Sequence, residues 1–202
     1  DHRPYRRRCI AFSRRGITDG MNTAGKCDTS PPIRAVIFDL DGTLTRPYLD
    51  FDAIRAELAI EGRQPVLEAL ETMTPQQRAA AMAVVERHES EAAANSELHD
   101  GVHIMLDALR KAGIRLGLLT RNSRQSVETV LAKHGLSFDF IRTREDGKTK
   151  PNAEPVLAIC RALGVNPTET LTVGDYLFDI LAGAAAGSRT ALMIGEAERP
   201  TY

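Results

Sequence analysis

From residue 34 onward, short apolar runs alternate with stretches whose apolar residues recur every three or four positions. Ala35-Val36-Ile37-Phe38 is an apolar run with two β-branched members, which reads as a strand buried on both faces. Asp39, Asp41 and Gly42 follow it at once. A buried strand carries charge only where it emerges, so both acids belong at its C-terminal end, with Gly42 turning the chain away.

Residues 48–98 change character. Apolar residues over 51–58 fall at helical spacing with Asp50 as a cap, and 65–73 forms a second short helix. Thr74-Pro75-Gln76-Gln77 combines a cap, a proline at the first helical position and a capping-box glutamine. The helix it opens can run to about Leu98, and its apolar stripe (Met82, Val84, Val85) is thin, too polar for a central core helix. The expectation is a helical cap inserted over 47–98. Tyr48, Asp52 and Arg55 either face a substrate from it or form an ordinary solvated face.

From Asp100 the pattern becomes a regular α/β alternation. Strands are expected over 116–119, 138–141, 171–173 and 190–194. Between them lie a helix with Val102, Met105, Leu106 and Leu109 on one face and Gly113 as its stop, one with Val127, Val130 and Leu131 inward, one from Pro155 closed by Gly164, and one from Asp175 through Ala186. Such alternation predicts an α/β fold, a three-layer Rossmann-like parallel sheet with right-handed crossovers, built from residues 33–46 and 99–202.

Composition narrows the function classes. The 202 residues are 43% hydrophobic and 26% charged with a net charge of −1, so there is no electrostatic case for nucleic acid or an anionic membrane as partner. No apolar run approaches the roughly 20 residues that span a bilayer. Cys9, Cys27 and Cys160 form neither a disulfide framework nor a metal knuckle, which suits a reducing, cytoplasmic location, and Cys160 reads as a packed helical residue. The histidines show no ligand spacing. Residues 1–32 carry six Arg and one Lys against three Asp, with several glycines and no sustained period. They read as a disordered basic extension; read instead as a transit peptide, they would make the location organellar.

Polar groups recur just past the expected strand ends: Asp39 and Asp41 after the first, Thr120 after 116–119, Asp175 after 171–174. In a parallel sheet those ends share one edge, where open α/β sheets place their ligand crevices. Asp175 and Asp179, four apart at a helix start, face the same way and repel. A helix N-terminus offsets part of that and a divalent cation the rest, and hard oxygen donors favour Mg²⁺.

Asp39-x-Asp41-Gly42-Thr43, Thr120, Lys150-Pro151 and Gly174-Asp175-x-x-x-Asp179 resemble, in order, the four motifs of the haloacid dehalogenase-like (HAD) hydrolase superfamily over about 34–194. The helical insertion after the first motif is similar to that of the phosphoglycolate phosphatase-like branch. The resemblance implies that Asp39 is the nucleophile, forming an aspartyl-phosphate, and that Asp41 is the general acid and later the base. It implies that Asp39, Asp41 through its backbone carbonyl, and Asp175 bind Mg²⁺, with Asp179 outside that shell. Thr120, Arg121, Asn122 and Lys150 would hold phosphoryl oxygens. Lys148 is the competitor for Lys150, which the following proline favours. The expected activity is Mg²⁺-dependent hydrolysis of a small phosphorylated metabolite by a monomer or homodimer. The alternatives are a sugar phosphomutase of the same superfamily and a catalytically idle phosphate-binding regulatory module.

Overall fold

Alternate side chains of one short strand feed two separate apolar layers, and the fold follows from that division. The computed structural model describes residues 31–194; the expectation for 1–32 falls, but for Pro31 and Pro32, outside them. Five strands, β1 (Ala35–Phe38), β2 (Arg115–Leu119), β3 (Phe140–Arg142), β4 (Thr170–Gly174) and β5 (Arg189–Leu192), form one parallel sheet in the order β3-β2-β1-β4-β5. All four β1 side chains are buried. Successive residues of a strand point to opposite faces. Val36 and Phe38 therefore join Leu116 and Leu118 in one core, and Ala35 and Ile37 join Leu119 in the other.

Helices α1 (Phe51–Glu57), α2 (Val66–Glu71) and α3 (Pro75–Asn95) lie in the insertion between β1 and the rest. Helices α4 (Val102–Lys111) and α5 (Arg124–His134) cover the first core with Val102, Leu106, Val127 and Val130. Helices α6 (Glu154–Leu163) and α7 (Leu177–Ala186) cover the second with Val156, Ile159, Cys160 and Ala182. Cys160 packs as an apolar residue there, as its sequence context suggests. The α/β, Rossmann-like three-layer arrangement is the expected one.

Local signals acted as read at several ends. Asp50 accepts from the Ala53 amide at 2.9 Å, Thr74 and Gln77 make the capping box, and Gly135 and Gly164 close α5 and α6 in the left-handed region. Other ends shift. Helix α3 stops at Asn95 rather than near Leu98, because the Ser96 hydroxyl turns back onto the Ala93 carbonyl at 2.8 Å. Strand β3 starts at Phe140 rather than 138, because Asp139 meets Leu116 instead: its amide donates to the Leu116 carbonyl and its carboxylate accepts from the Leu116 amide, both at 2.8 Å. On α4, Met105 faces outward beside Ile104.

The insertion has its own small core of Ile54, Val66, Leu70, Ala81 and Val85. Its two connections to the sheet run side by side: Thr45 bridges Leu98, the Arg46 amide donates to Glu97 at 2.7 Å, and the His99 amide donates to Leu44 at 2.9 Å. Helix α3 does not end with the insertion's core. Its far end packs along α5, and Ala93 belongs to the main core. The apolar residues marked as its stripe understate this contact, since alanines make it.

Leu118 of β2 is fully buried. Leu118→Ala is expected to lower unfolding stability by about 2–5 kcal/mol, read as an earlier urea midpoint at unchanged slope.

Candidate active site

The C-terminal ends of β1, β2 and β4 bring the sequence-marked polar residues to one edge. β1 runs directly into Asp39, whose amide continues the ladder by donating to Val173 of β4 at 2.9 Å. Asp39 is therefore fixed by backbone pairing, and the residue is 8% exposed. The chain then turns at Gly42, whose φ is +76°. A Cβ there would land on the Asp175 carboxylate, so only glycine lets the first loop and the loop after β4 approach this closely. Gly174 serves the same end, since a Cβ on it would overlap Asp179.

Lys150 joins these pieces. Its Nζ donates to Asp39 Oδ1 at 2.5 Å and to Asp179 Oδ1 at 2.6 Å, and the residue is 4% exposed. Lys148, two residues earlier, is exposed. Asp179 Oδ2 accepts the Tyr176 amide at 3.3 Å, so the carboxylate also caps α7. Asp41 faces a different set: Asn122 Nδ2 donates to its Oδ2, and the Thr45 hydroxyl donates to its Oδ1 at 3.2 Å. Thr120 is buried at the end of β2, pinned by its amide to Arg142 at 3.1 Å, and its hydroxyl accepts the Asn122 amide at 3.2 Å.

Arg121 does not turn toward this cluster. Its Nη2 donates to both carboxylate oxygens of Glu68 of α2, at 2.8 and 2.7 Å, and the guanidinium lies 4.9 Å over the Phe178 ring, which stands edge-on to Tyr176. Asp52 and Arg55 are paired with each other at 2.5 Å. Thr45 and Glu68 carried no mark in the sequence reading. Thr45 could have been found by its place in the turn after the first motif, whereas nothing in the sequence around Glu68 distinguishes it from a solvated acid.

The charges do not balance. One ammonium faces two buried carboxylates, and Asp41 and Asp175 stand close by. Burial pushes the Asp39 carboxyl up to about 8; Lys150 opposes this, and the Asp179 and Asp41 charges add to it. Burial likewise raises Asp41 against the hydrogen bonds from Asn122 and Thr45. Asp175 is raised by burial and by Asp179. Burial works against the charge on Lys150, but Asp39 and Asp179 together outweigh it and hold the ammonium above its ordinary value. One carboxylate oxygen each from Asp39, Asp175 and Asp179 lies within 4.8 Å of the others. Convergent hard oxygens in a site with surplus negative charge fit a divalent cation.

With this geometry in view, comparison with known proteins is decisive. A family model for haloacid dehalogenase-like hydrolases matches residues 33–187. The chain belongs to the haloacid dehalogenase-like hydrolase family. Among its HAD relatives is a phosphoglycolate phosphatase of Xylella fastidiosa, 33% identical, with the match covering 76% of this chain and 77% of the relative. An N-acetylmuramic acid 6-phosphate phosphatase of Pseudomonas aeruginosa is 30% identical over 79% of this chain and 80% of its own. The crystal structure of a hydrolase from Pseudomonas syringae shares the fold, with a TM-score of 0.67 at 21% identity over 78% of this chain and 83% of that one. HAD hydrolases generally use a divalent metal, and the acid cluster gives this chain a place for one. None of the described helices is long and apolar enough to cross a membrane.

Removing the Lys150 ammonium strands two buried carboxylates. In EDTA at pH 9, Lys150→Met is expected to unfold about 3–5 kcal/mol more easily than wild type. A carboxyl whose folded value is raised takes up a proton on folding, so the deficit shrinks as pH falls from 9 to 6. Denaturant titrations at both pH values measure it.

Proposed function

We propose that this phosphoric monoester hydrolase acts on a small phosphorylated metabolite through an aspartyl-phosphate on Asp39, with Mg²⁺ as cofactor. The observation that carries the reading is the pairing of Asp39 with Lys150 beside a differently held Asp41. The same edge thus supplies one carboxyl whose ionised form an ammonium favours against burial and another, held by uncharged donors, suited to keeping a proton. Asp39 Oδ1 is fixed by Lys150, which leaves the other oxygen to attack phosphorus; the bond to the leaving oxygen breaks as the new P–O bond forms. Asp41, raised by burial and oriented by Asn122 and Thr45, gives its proton to that leaving oxygen. It then takes one from the water that attacks the aspartyl-phosphate, releasing inorganic phosphate and restoring Asp39.

The Asp39 and Asp175 carboxylates and the Asp41 carbonyl would hold the cation, with Asp179 keeping Lys150 in place. When bound, Mg²⁺ supplies positive charge that screens nucleophile from phosphate and stabilises the charge developing on phosphorus. The Thr120 hydroxyl, the amides after it and Lys150 are assigned to the phosphoryl oxygens. Arg121 is assigned instead to fastening the inserted helices, which act as a cap over residues 47–98. Relatives named for phosphoglycolate and for N-acetylmuramic acid 6-phosphate support a small phosphorylated substrate.

The test is hydrolysis of para-nitrophenyl phosphate and of a panel of phosphorylated metabolites with Mg²⁺ or EDTA. Expected are Mg²⁺-dependent phosphate release, its loss in EDTA, and a fall of at least ~10³-fold in Asp39→Asn. Asp41→Asn should lose about 10²–10⁴-fold. Turnover that survives in Asp39→Asn overturns the nucleophile, and phosphate binding without turnover favours a regulatory module.

A further inference from the structure

Asn122, the residue that holds Asp41, stands between two residues gripped by acids of the inserted helices. On one side Arg121 is taken by Glu68 of α2. On the other, the Ser123 amide donates to Glu89 Oε2 at 3.1 Å, while Glu89 Oε1 receives Arg144 Nη1 at 2.5 Å. Arg144 then closes the circuit back onto the same loop. Its Nη1 also donates to the Arg121 carbonyl at 3.3 Å, and its amide donates to the Asn122 carbonyl at 3.1 Å.

Glu89 lies inside α3 and is 4% exposed. A carboxylate placed there is expensive to desolvate, even when paired. The helix does not need it, since Ala81, Val85, Ala92 and Ala93 already bury that side of α3. What the carboxylate adds is a fixed acceptor for the loop after β2 and an anchor for the loop after β3, which ends in Lys150. Asparagine has a short side chain with two rotatable bonds, so the position of Asn122 Nδ2 follows the backbone of residues 121–123. An error of about 1 Å in a reacting group can cost on the order of 10²-fold in rate.

We propose that Glu89 is a positioning residue for the reaction: from α3 it fixes the 121–123 loop, so that Asn122 presents the Asp41 carboxyl to the leaving oxygen. The inference rests on reading Asp41 as the acid. Glu89 touches no reacting atom; it works through Ser123, Arg144 and Asn122.

Two variants separate positioning from mere support of the fold. Glu89→Gln preserves volume and the acceptor for the Ser123 amide but removes the charge facing Arg144. It is expected to lower kcat on para-nitrophenyl phosphate by ~10-fold with KM nearly unchanged, the signature of an interaction felt in the transition state. The double variant Glu89→Leu/Arg144→Leu removes both buried charges together, which restores or preserves thermal stability. Its kcat is nevertheless expected to stay ~10²-fold down, with faster amide hydrogen exchange in 121–123. A double variant that regains wild-type kcat and keeps the loop protected overturns the proposal, because the pair is then structural only. If the double variant fails to fold, Glu89→Gln decides: unchanged kcat overturns the proposal, and a selective fall in kcat upholds it. If wild-type protein shows no turnover, the reading of Asp41 falls instead. Hydrogen exchange in 121–123 then still decides whether Glu89 fixes the loop, faster exchange upholding that step and unchanged protection overturning it.

Discussion

A single buried ammonium holds the functional edge of this protein together. Lys150 bridges carboxylates that lie 111 and 29 residues from it in sequence, one at the end of β1 and the other in the first turn of α7. Neither carboxylate could remain buried and ionised alone. The ion pairs therefore convert sheet topology into a fixed arrangement of oxygens. They also leave the arrangement short of positive charge, a condition that favours uptake of a divalent cation.

The sheet and most helices were legible because they rest on local rules: buried apolar runs, Thr or Asp at helix starts, glycine at helix ends. The convergence of Asp39, Thr120 and Asp175 was legible too, since the parallel rule alone brings their strand ends to one edge. The choice of Lys150 over Lys148 had only the following proline to support it; the fold separates them plainly, one buried against two acids and the other exposed. Arg121 was grouped with phosphate contacts by its neighbours in the chain. In three dimensions Glu68 and Phe178 claim it, and neither partner is visible from the sequence around it. Glu89 was hidden for another reason. In a helix as polar as α3 one more acid looks solvated, yet it stands four residues after Val85 and four before Ala93, on the stripe that is buried.

The inserted helices also reach into the core of the protein. Glu68 and Glu89 reach the loop after β2 at positions 121 and 123, and Lys133 of α5 reaches back to the carbonyls of Ala94 and Ser96 at 2.7 and 2.8 Å. The insertion and the core thus share polar contacts on both sides of the loop carrying Asn122. Of these only Arg121–Glu68 is an ion pair, and with Glu68 partly exposed it contributes only about 0–1 kcal/mol. The buried Glu89–Arg144 pair is different in kind, because breaking it leaves a charge with nowhere to go.

The neighbouring crossings at Thr45 and Leu98 have an architectural consequence. Entry and exit strands that already touch form a graft point: the segment between them closes a loop whose ends are fixed, and lengthening it adds little entropy of closure. Helices α1 and α2 can therefore be traded for longer or shorter segments without moving β1. The far end of α3 is exempt from that freedom, since Glu89 and Ala93 have become part of what the graft is attached to.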